Sequence, residues 1–213
     1  MKPFVPFCYF LFFLLAGLAC KDQPAKLTAT KPSAATLPTI PPSQAEKIKI
    51  DIGHEVDELN GIPVYYNGAT RNTSGRNYSS DGYNYGLKWQ CVEFAKRYYH
   101  QRLTHKMPNP WGHAKDFFHP QLKDGAFNME RGLYQFKNGS ANRIQKNDLL
   151  IFGGNRSNPF GHIAVVAKVT DDAIEIVQQN VGIDSRMSLA INPRKGYCFV
   201  KNPQVLGWLG KRK

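Results

Sequence analysis

Three short apolar runs in the second half of the chain leave few folds open. Asp148-Leu149-Leu150-Ile151-Phe152 ends in the Gly- and Asn-rich loop 153–161. His162-Ile163-Ala164-Val165-Val166-Ala167-Lys168-Val169 follows, and Asp171-Asp172 marks a turn before Ala173-Ile174-Glu175-Ile176-Val177-Gln178. Short runs rich in β-branched residues and bounded by turn formers are strands joined by tight turns. Residues 197–200 and 205–209 repeat the pattern and extend the sheet. Upstream, Phe94, Ala95, Tyr98 and Tyr99 recur at spacings of three and four, which predicts a helix from Cys91 to about Leu103, stopped before Pro108. A helix followed by a meander of short strands is an α+β arrangement. The expected architecture is N-terminal helices packed on an antiparallel sheet. Residues 69–85 read as a polar loop leading into the helix, residues 62–66 as a short extended piece, residues 113–118 as a short helix and residues 132–136 as a short extended segment.

Residues 1–20 read as an export signal. Lys2 is the one charge, an apolar run follows, and the stretch ends in Ala16-Gly17-Leu18-Ala19-Cys20. Small residues before a cysteine resemble a bacterial lipobox, so Cys20 is the expected lipidation site. Residues 21–48 scatter Pro24, Pro32, Pro38, Pro41 and Pro42 among Ala, Thr, Ser and Lys, with no aromatic residue. Such a segment has little to bury and reads as a disordered tether. As a flexible coil it would average about 30 Å end to end. Residues 49–213 then make one domain large enough for a sizeable core.

The formal net charge is +12, with an isoelectric point near 9.6. An exported basic protein suits an anionic surface such as cell-wall polymer or lipid head groups. No dense Lys/Arg stripe interleaved with stacking aromatics is present, so nucleic acid is not an expected partner. A monomer attached to the membrane through its lipid is expected. His113, Asp116 and His119 match no strong zinc spacing, and neither a metal nor a cofactor is expected.

Once the signal is removed and Cys20 is lipidated, Cys91 and Cys198 remain, which is no disulfide framework. Cys91 falls at the start of the predicted helix. Unpaired N–H groups and the dipole favour an anion there, so the expectation is a thiol of lowered pKa, with the thiolate as nucleophile. A cysteine hydrolase also needs a base and a group that orients it. His162 opens a strand after a Gly-rich loop. The hairpin that follows brings Gln178-Gln179-Asn180 beside it. An Asn oxygen accepting from one imidazole N–H would leave the other nitrogen for the sulfur, so Cys91, His162 and Asn180 form the expected catalytic set. Trp89 and Trp111 are candidates for the substrate groove, and Glu93 is expected to be structural.

Trp89-Gln90-Cys91-Val92-Glu93-Phe94-Ala95, Asn147-Asp148-Leu149-Leu150-Ile151-Phe152, Gly161-His162-Ile163-Ala164-Val165-Val166 and Gln178-Gln179-Asn180 together resemble the CHAP family of cysteine, histidine-dependent amidohydrolases/peptidases. The likeness is greatest to the branch that includes the amidase domain of glutathionylspermidine synthetase/amidase, in residues 86–94 and in Val205-Leu206-Gly207-Trp208-Leu209. The resemblance implies a papain-like α+β fold that cleaves amide bonds, in peptidoglycan peptides or in glutathionylspermidine-like conjugates. It implies Cys91 as nucleophile, His162 as base and Asn180 as orienter, with Gln90 and Gln178 in support. Two departures stand out. Gln178 replaces a carboxylate that the family pattern credits with orienting or charge-balancing the histidine, so either Asn180 suffices or catalysis is weakened, which leaves open a degenerate, non-catalytic domain that binds cell wall. Asn147 replaces the usual Gly before Asp148.

Overall fold

A computed structural model describes residues 49–194 and 196–212. The export segment 1–20, the Cys20 lipidation site and the tether 21–48 lie outside the described residues. The described chain falls within one unit, Lys47–Lys213.

Two hairpins come first. Strand β1 (Glu55–Leu59) pairs with β2 (Ile62–Tyr65), and β3 (Arg76–Tyr78) with β4 (Asn84–Leu87), both antiparallel. Helix α1 (Cys91–Leu103) follows, then a 3-10 turn at Ala114–Phe117. The remaining strands are β5 (Phe127–Asn128), β6 (Leu133–Lys137), β7 (Leu149–Phe152), β8 (His162–Val169), β9 (Ala173–Val177), β10 (Arg186–Arg194), β11 (Tyr197–Val200) and β12 (Val205–Gly210). They form one eight-stranded antiparallel sheet in the order β11-β10-β9-β8-β7-β12-β6-β5.

The α+β class holds, with far more sheet than helix. The expected set of N-terminal helices does not: among the described residues there is one α-helix, and two hairpins precede it. Residues 69–85 are rich in turn formers, yet their two ends pair as strands around a turn in which the Ser79 N–H donates to the Tyr83 carbonyl at 2.9 Å.

Alternation along β7 and β8 explains how the sheet is covered. Leu149, Ile151, Ile163 and Val165 meet Phe94, Ala95, Tyr98 and Tyr99 of α1 in one cluster. Leu150, Phe152, Ala164 and Val166 face the other way, into a second cluster with Phe136, Ile176, Val200 and Trp208. Neighbouring residues of a strand point to opposite faces, and both faces are buried, so these strands read as continuous apolar runs. The sheet curls to supply that second cover. Gly139 N–H donates to the Cys198 carbonyl at 2.9 Å, and Asn138 Nδ2 to the Val200 carbonyl at 3.1 Å, which brings β11 against the end of β6.

Helix α1 is buried from Cys91 to Tyr99 except at Val92, so its charged residues need internal partners. Arg97 Nε donates to Glu93 Oε1 at 2.6 Å, and Lys96 Nζ donates to the carbonyls of Asn84 and Pro110, each at 2.6 Å. The helix ends at Thr104, which takes the left-handed conformation at φ 50°.

Candidate active site

Cys91 is the first residue of α1, and its thiol is buried. The turn before it is fixed by Asn67, whose Oδ1 accepts the Trp89 N–H at 3.1 Å. The backbone N–H groups of Cys91, Val92 and Ile163 act on the sulfur and favour its anion. Burial outweighs them and pushes the thiol up to about 11. The expected low-pKa thiol is therefore corrected: with no charged partner, desolvation beats the helix terminus.

His162 opens β8 as expected. Gly161 delivers it there at φ 74°, where an added Cβ would stand 2.4 Å from the Phe152 carbonyl oxygen. Only glycine fits that conformation and that gap. Ile163, whose backbone N–H favours the Cys91 thiolate, is the next residue, and Cys91 and His162 line the same cavity. The imidazole hydrogen-bonds Gln178, with Nε2 to Oε1 at 2.9 Å. Assigning the amide oxygen to that contact makes Nε2 the donor and leaves Nδ1 as an acceptor. Burial holds this ring well below its usual range, at about 4, against the Gln178 bond that raises it.

The contact with His162 expected of Asn180 is made by Gln178. The Asn180 side chain is committed elsewhere: Nδ2 donates to Gln90 Oε1 at 2.6 Å and to the Thr70 carbonyl at 2.9 Å, and Oδ1 accepts from Asn67 Nδ2 at 2.7 Å. Gln90 Nε2 in turn donates to the Asn72 carbonyl at 2.7 Å and the Thr70 carbonyl at 3.2 Å. Asn67, Gln90 and Asn180 thus form a polar clasp that ties the start of α1 to the segment after β9 and to residues 67–72. Strand β9 ends at Val177, and Asn180 sits at φ 71°. Continued strand alternation would have put residues 178 and 180 on one face; the left-handed turn swings Asn180 toward Gln90 instead.

The cavity has a volume of about 730 Å³. Cys91, His162 and Asn180 line it, with Trp111, His113 and Phe160 among the other walls. His113 lies against Phe160, with centroids 4.5 Å apart. Trp111 is a groove residue as expected. Trp89 is not: it packs on Tyr65, with ring centroids 4.1 Å apart. Cys91 and Cys198 are both free, and Cys198 is buried in β11.

Other expected residues are structural. Glu93 pairs with Arg97 and accepts from Gln179 Nε2 and Asn77 Nδ2, each at 2.8 Å. Asp148 takes both terminal nitrogens of Arg212, at 2.7 and 2.8 Å. Asn147 adopts φ 73°, which accounts for a glycine at that place in the family pattern and for an asparagine here. Sequence reasoning passed over Lys96 and Arg76, which line the cavity. A lysine on an otherwise apolar helix face was the signal for the first. The second lies in what reads as loop and carries no signal.

Residues 80–180 match the CHAP domain family model. Over that stretch, a little under half of its length, the chain is similar to the CHAP domain. That stretch includes α1, β7, β8 and β9, and with them Cys91, His162 and Gln178. A trypanothione synthetase of Crithidia fasciculata is 30% identical over 119 residues, 56% of this chain and 18% of that protein. A glutathionylspermidine synthase of the same organism is 29% identical over 105 residues, 46% of this chain and 14% of that protein. The chain thus matches less than a fifth of either relative. Among solved structures, Ly7917 aligns with a TM-score of 0.37 and 16% identity over 56% of this chain and 52% of its own. CHAP domains are amidase and peptidase domains.

Proposed function

We propose that this CHAP-like domain is a cysteine amidohydrolase that cleaves amide bonds in peptidoglycan peptides. The observation that carries the reading is the 2.9 Å bond from His162 Nε2 to Gln178 Oε1. It leaves Nδ1 as the basic nitrogen of a ring that shares its cavity with Cys91. As the sulfur attacks the substrate carbonyl, its proton passes to His162 Nδ1. Cysteine and imidazole are both neutral before substrate binds, because burial disfavours each charged form. Proton transfer therefore accompanies attack rather than preceding it. The oxyanion forms at the N-terminus of α1, where the Cys91 N–H is available to it. His162 returns the proton to the departing amine, and water then cleaves the thioester with His162 again as base. Gln178 fixes the tautomer and the aim of the ring. Gln90 is no oxyanion donor on this reading, since both of its amide hydrogens are used in the clasp.

The peptidoglycan target draws support from the export signal read in residues 1–20 and from the net charge of +12. Acylation at Cys20 would hold the protein at the membrane, with the tether giving the domain reach toward the wall. A second reading, hydrolysis of a glutathione–polyamine amide, is favoured by the names of the two curated relatives. The test is mass spectrometry of purified muropeptides digested by the full chain beside its Cys91→Ala form. New peptide fragments should appear with the first only. Intact muropeptides under both, with the fold verified, would reject the peptidoglycan reading.

A further inference from the structure

The cavity that holds Cys91 and His162 carries charge of one sign. Arg71, Arg76 and Lys96 line it, and no aspartate or glutamate does. Two arginines elsewhere in the fold show the contrast. Arg97 is neutralised by Glu93 and Arg212 by Asp148. Lys96 and Arg76 have no carboxylate within ion-pair distance among the described residues. Lys96 is 1% exposed, and its ammonium rests on two neutral carbonyls. Burial and the nearby charges of Arg131 and Arg76 push it down to about 7. Asp116, near the rim, is engaged by the His113 N–H at 2.9 Å and does not line the cavity.

Arg76 is the preorganised member of this set. Its guanidinium lies 4.8 Å from the centroid of the Trp111 ring, and Nη1 reaches Asn84 Oδ1 at 3.3 Å. A guanidinium placed over an aromatic face and tied at Nη1 keeps its remaining donors for a carboxylate and loses little freedom on binding. Lys96 is buried, Arg76 half-buried and Arg71 exposed, and charge taken from water without a counter-ion is costly. A ligand anion is the partner this cavity lacks.

We infer that the cavity recognises a carboxylate carried by the amide substrate, with Arg76 as the specificity-determining residue and Trp111 as the platform that positions it. The inference rests on the reading of this cavity as the substrate site. It selects an acidic peptide over a polyamine conjugate, because Arg71 and Arg76 repel ammonium groups.

The test compares alkylation of Cys91 by iodoacetate, an anion, and by neutral iodoacetamide. Rates are followed in the full chain on the Cys91 peptide by mass spectrometry at low salt. N-acetylcysteine supplies the intrinsic ratio of the two reagents. Relative to it, the protein should favour iodoacetate by about tenfold, Arg76→Lys should keep most of that preference, and added salt should weaken it. Arg76→Glu should abolish it. A ratio equal to that of N-acetylcysteine, or one unmoved by Arg76→Glu, overturns the inference. Inertness of Cys91 to both reagents would count against the proposed nucleophile instead. Fluorescence quenching then decides the charge question, with Trp111→Phe isolating the Trp111 signal. Iodide should quench Trp111 more than caesium does, and Arg76→Glu should reverse the order. Equal quenching by the two ions in the wild-type chain overturns the inference independently of any thiol chemistry.

Discussion

At the scale of single residues, the site turns on which amide faces His162. Gln178 and Asn180 stand two apart at the end of β9, and the residue types alone do not separate them. The left-handed backbone at Asn180 does, since φ 71° sends its side chain to Gln90 and Asn67. Cys91 and His162 were legible because each stands at the start of a strongly patterned element. The residue facing His162 was marked only by the family's carboxylate at position 178, because local pattern does not reveal the backbone dihedral that turns Asn180 away. Gln178→Leu should therefore lower kcat by about a hundredfold, since an unheld imidazole loses tautomer and aim. Asn180→Ala should act mainly on stability, costing about 1–3 kcal/mol in urea unfolding as the Gln90 and Asn67 partners are left unsatisfied. If Asn180→Ala abolishes turnover in a fully stable domain while Gln178→Leu leaves it intact, the assignment is reversed. Gln178→Glu places a carboxylate beside the imidazole and raises its pKa from the depressed value near 4. The base is active when unprotonated, so the acid limb of the kcat/KM profile should move to higher pH.

At the scale of elements, α1 and the β7–β8–β9 meander were readable from their periodicity, since each buries a face against a neighbour. Helix α1 and strands β8 and β11 occupy the residues that their patterns marked out. The β3–β4 hairpin was not readable. Gly75, Ser79, Ser80 and Gly82 are turn formers, and nothing local announces that Arg76 pairs with Leu87. Strand β10 was missed because its exposed residues, among them Ser188 and Ala190, interrupt the apolar pattern. The position of β12 between β7 and β6 is a long-range pairing that no window of sequence contains. The loop before β8 makes a sharper claim. An added Cβ at Gly161 would lie 2.4 Å from the Phe152 carbonyl oxygen and 2.9 Å from Lys115 Cβ, at a φ of 74°. Gly161→Ala should cost about 2–4 kcal/mol, combining left-handed strain with overpacking. It should also displace His162, so kcat should fall in the fraction that remains folded. An unchanged urea midpoint would show that the loop relaxes freely and does not position the base.

At the scale of the whole molecule, the catalytic domain is one part of the proposed design, with the lipid at Cys20 and the tether of residues 21–48 as the others. Acylation predicts that Cys20→Ser leaves the membrane fraction of cells expressing the full chain. Retention of Cys20→Ser in that fraction would mean that residues 1–20 hold the protein as an uncleaved anchor instead. Several acyl chains make attachment stable where one alone is marginal. The central claim, however, is covalent: an acyl group passes through the Cys91 sulfur on its way to water. Adding hydroxylamine to a muropeptide digestion tests this most directly, because a thioester partitions between water and the stronger nucleophile. The account predicts that mass spectrometry finds a peptide hydroxamate whose share rises with hydroxylamine concentration, and that Cys91→Ala yields neither hydroxamate nor acid. Cleavage that continues in Cys91→Ala, or that gives only the acid at high hydroxylamine, would contradict it.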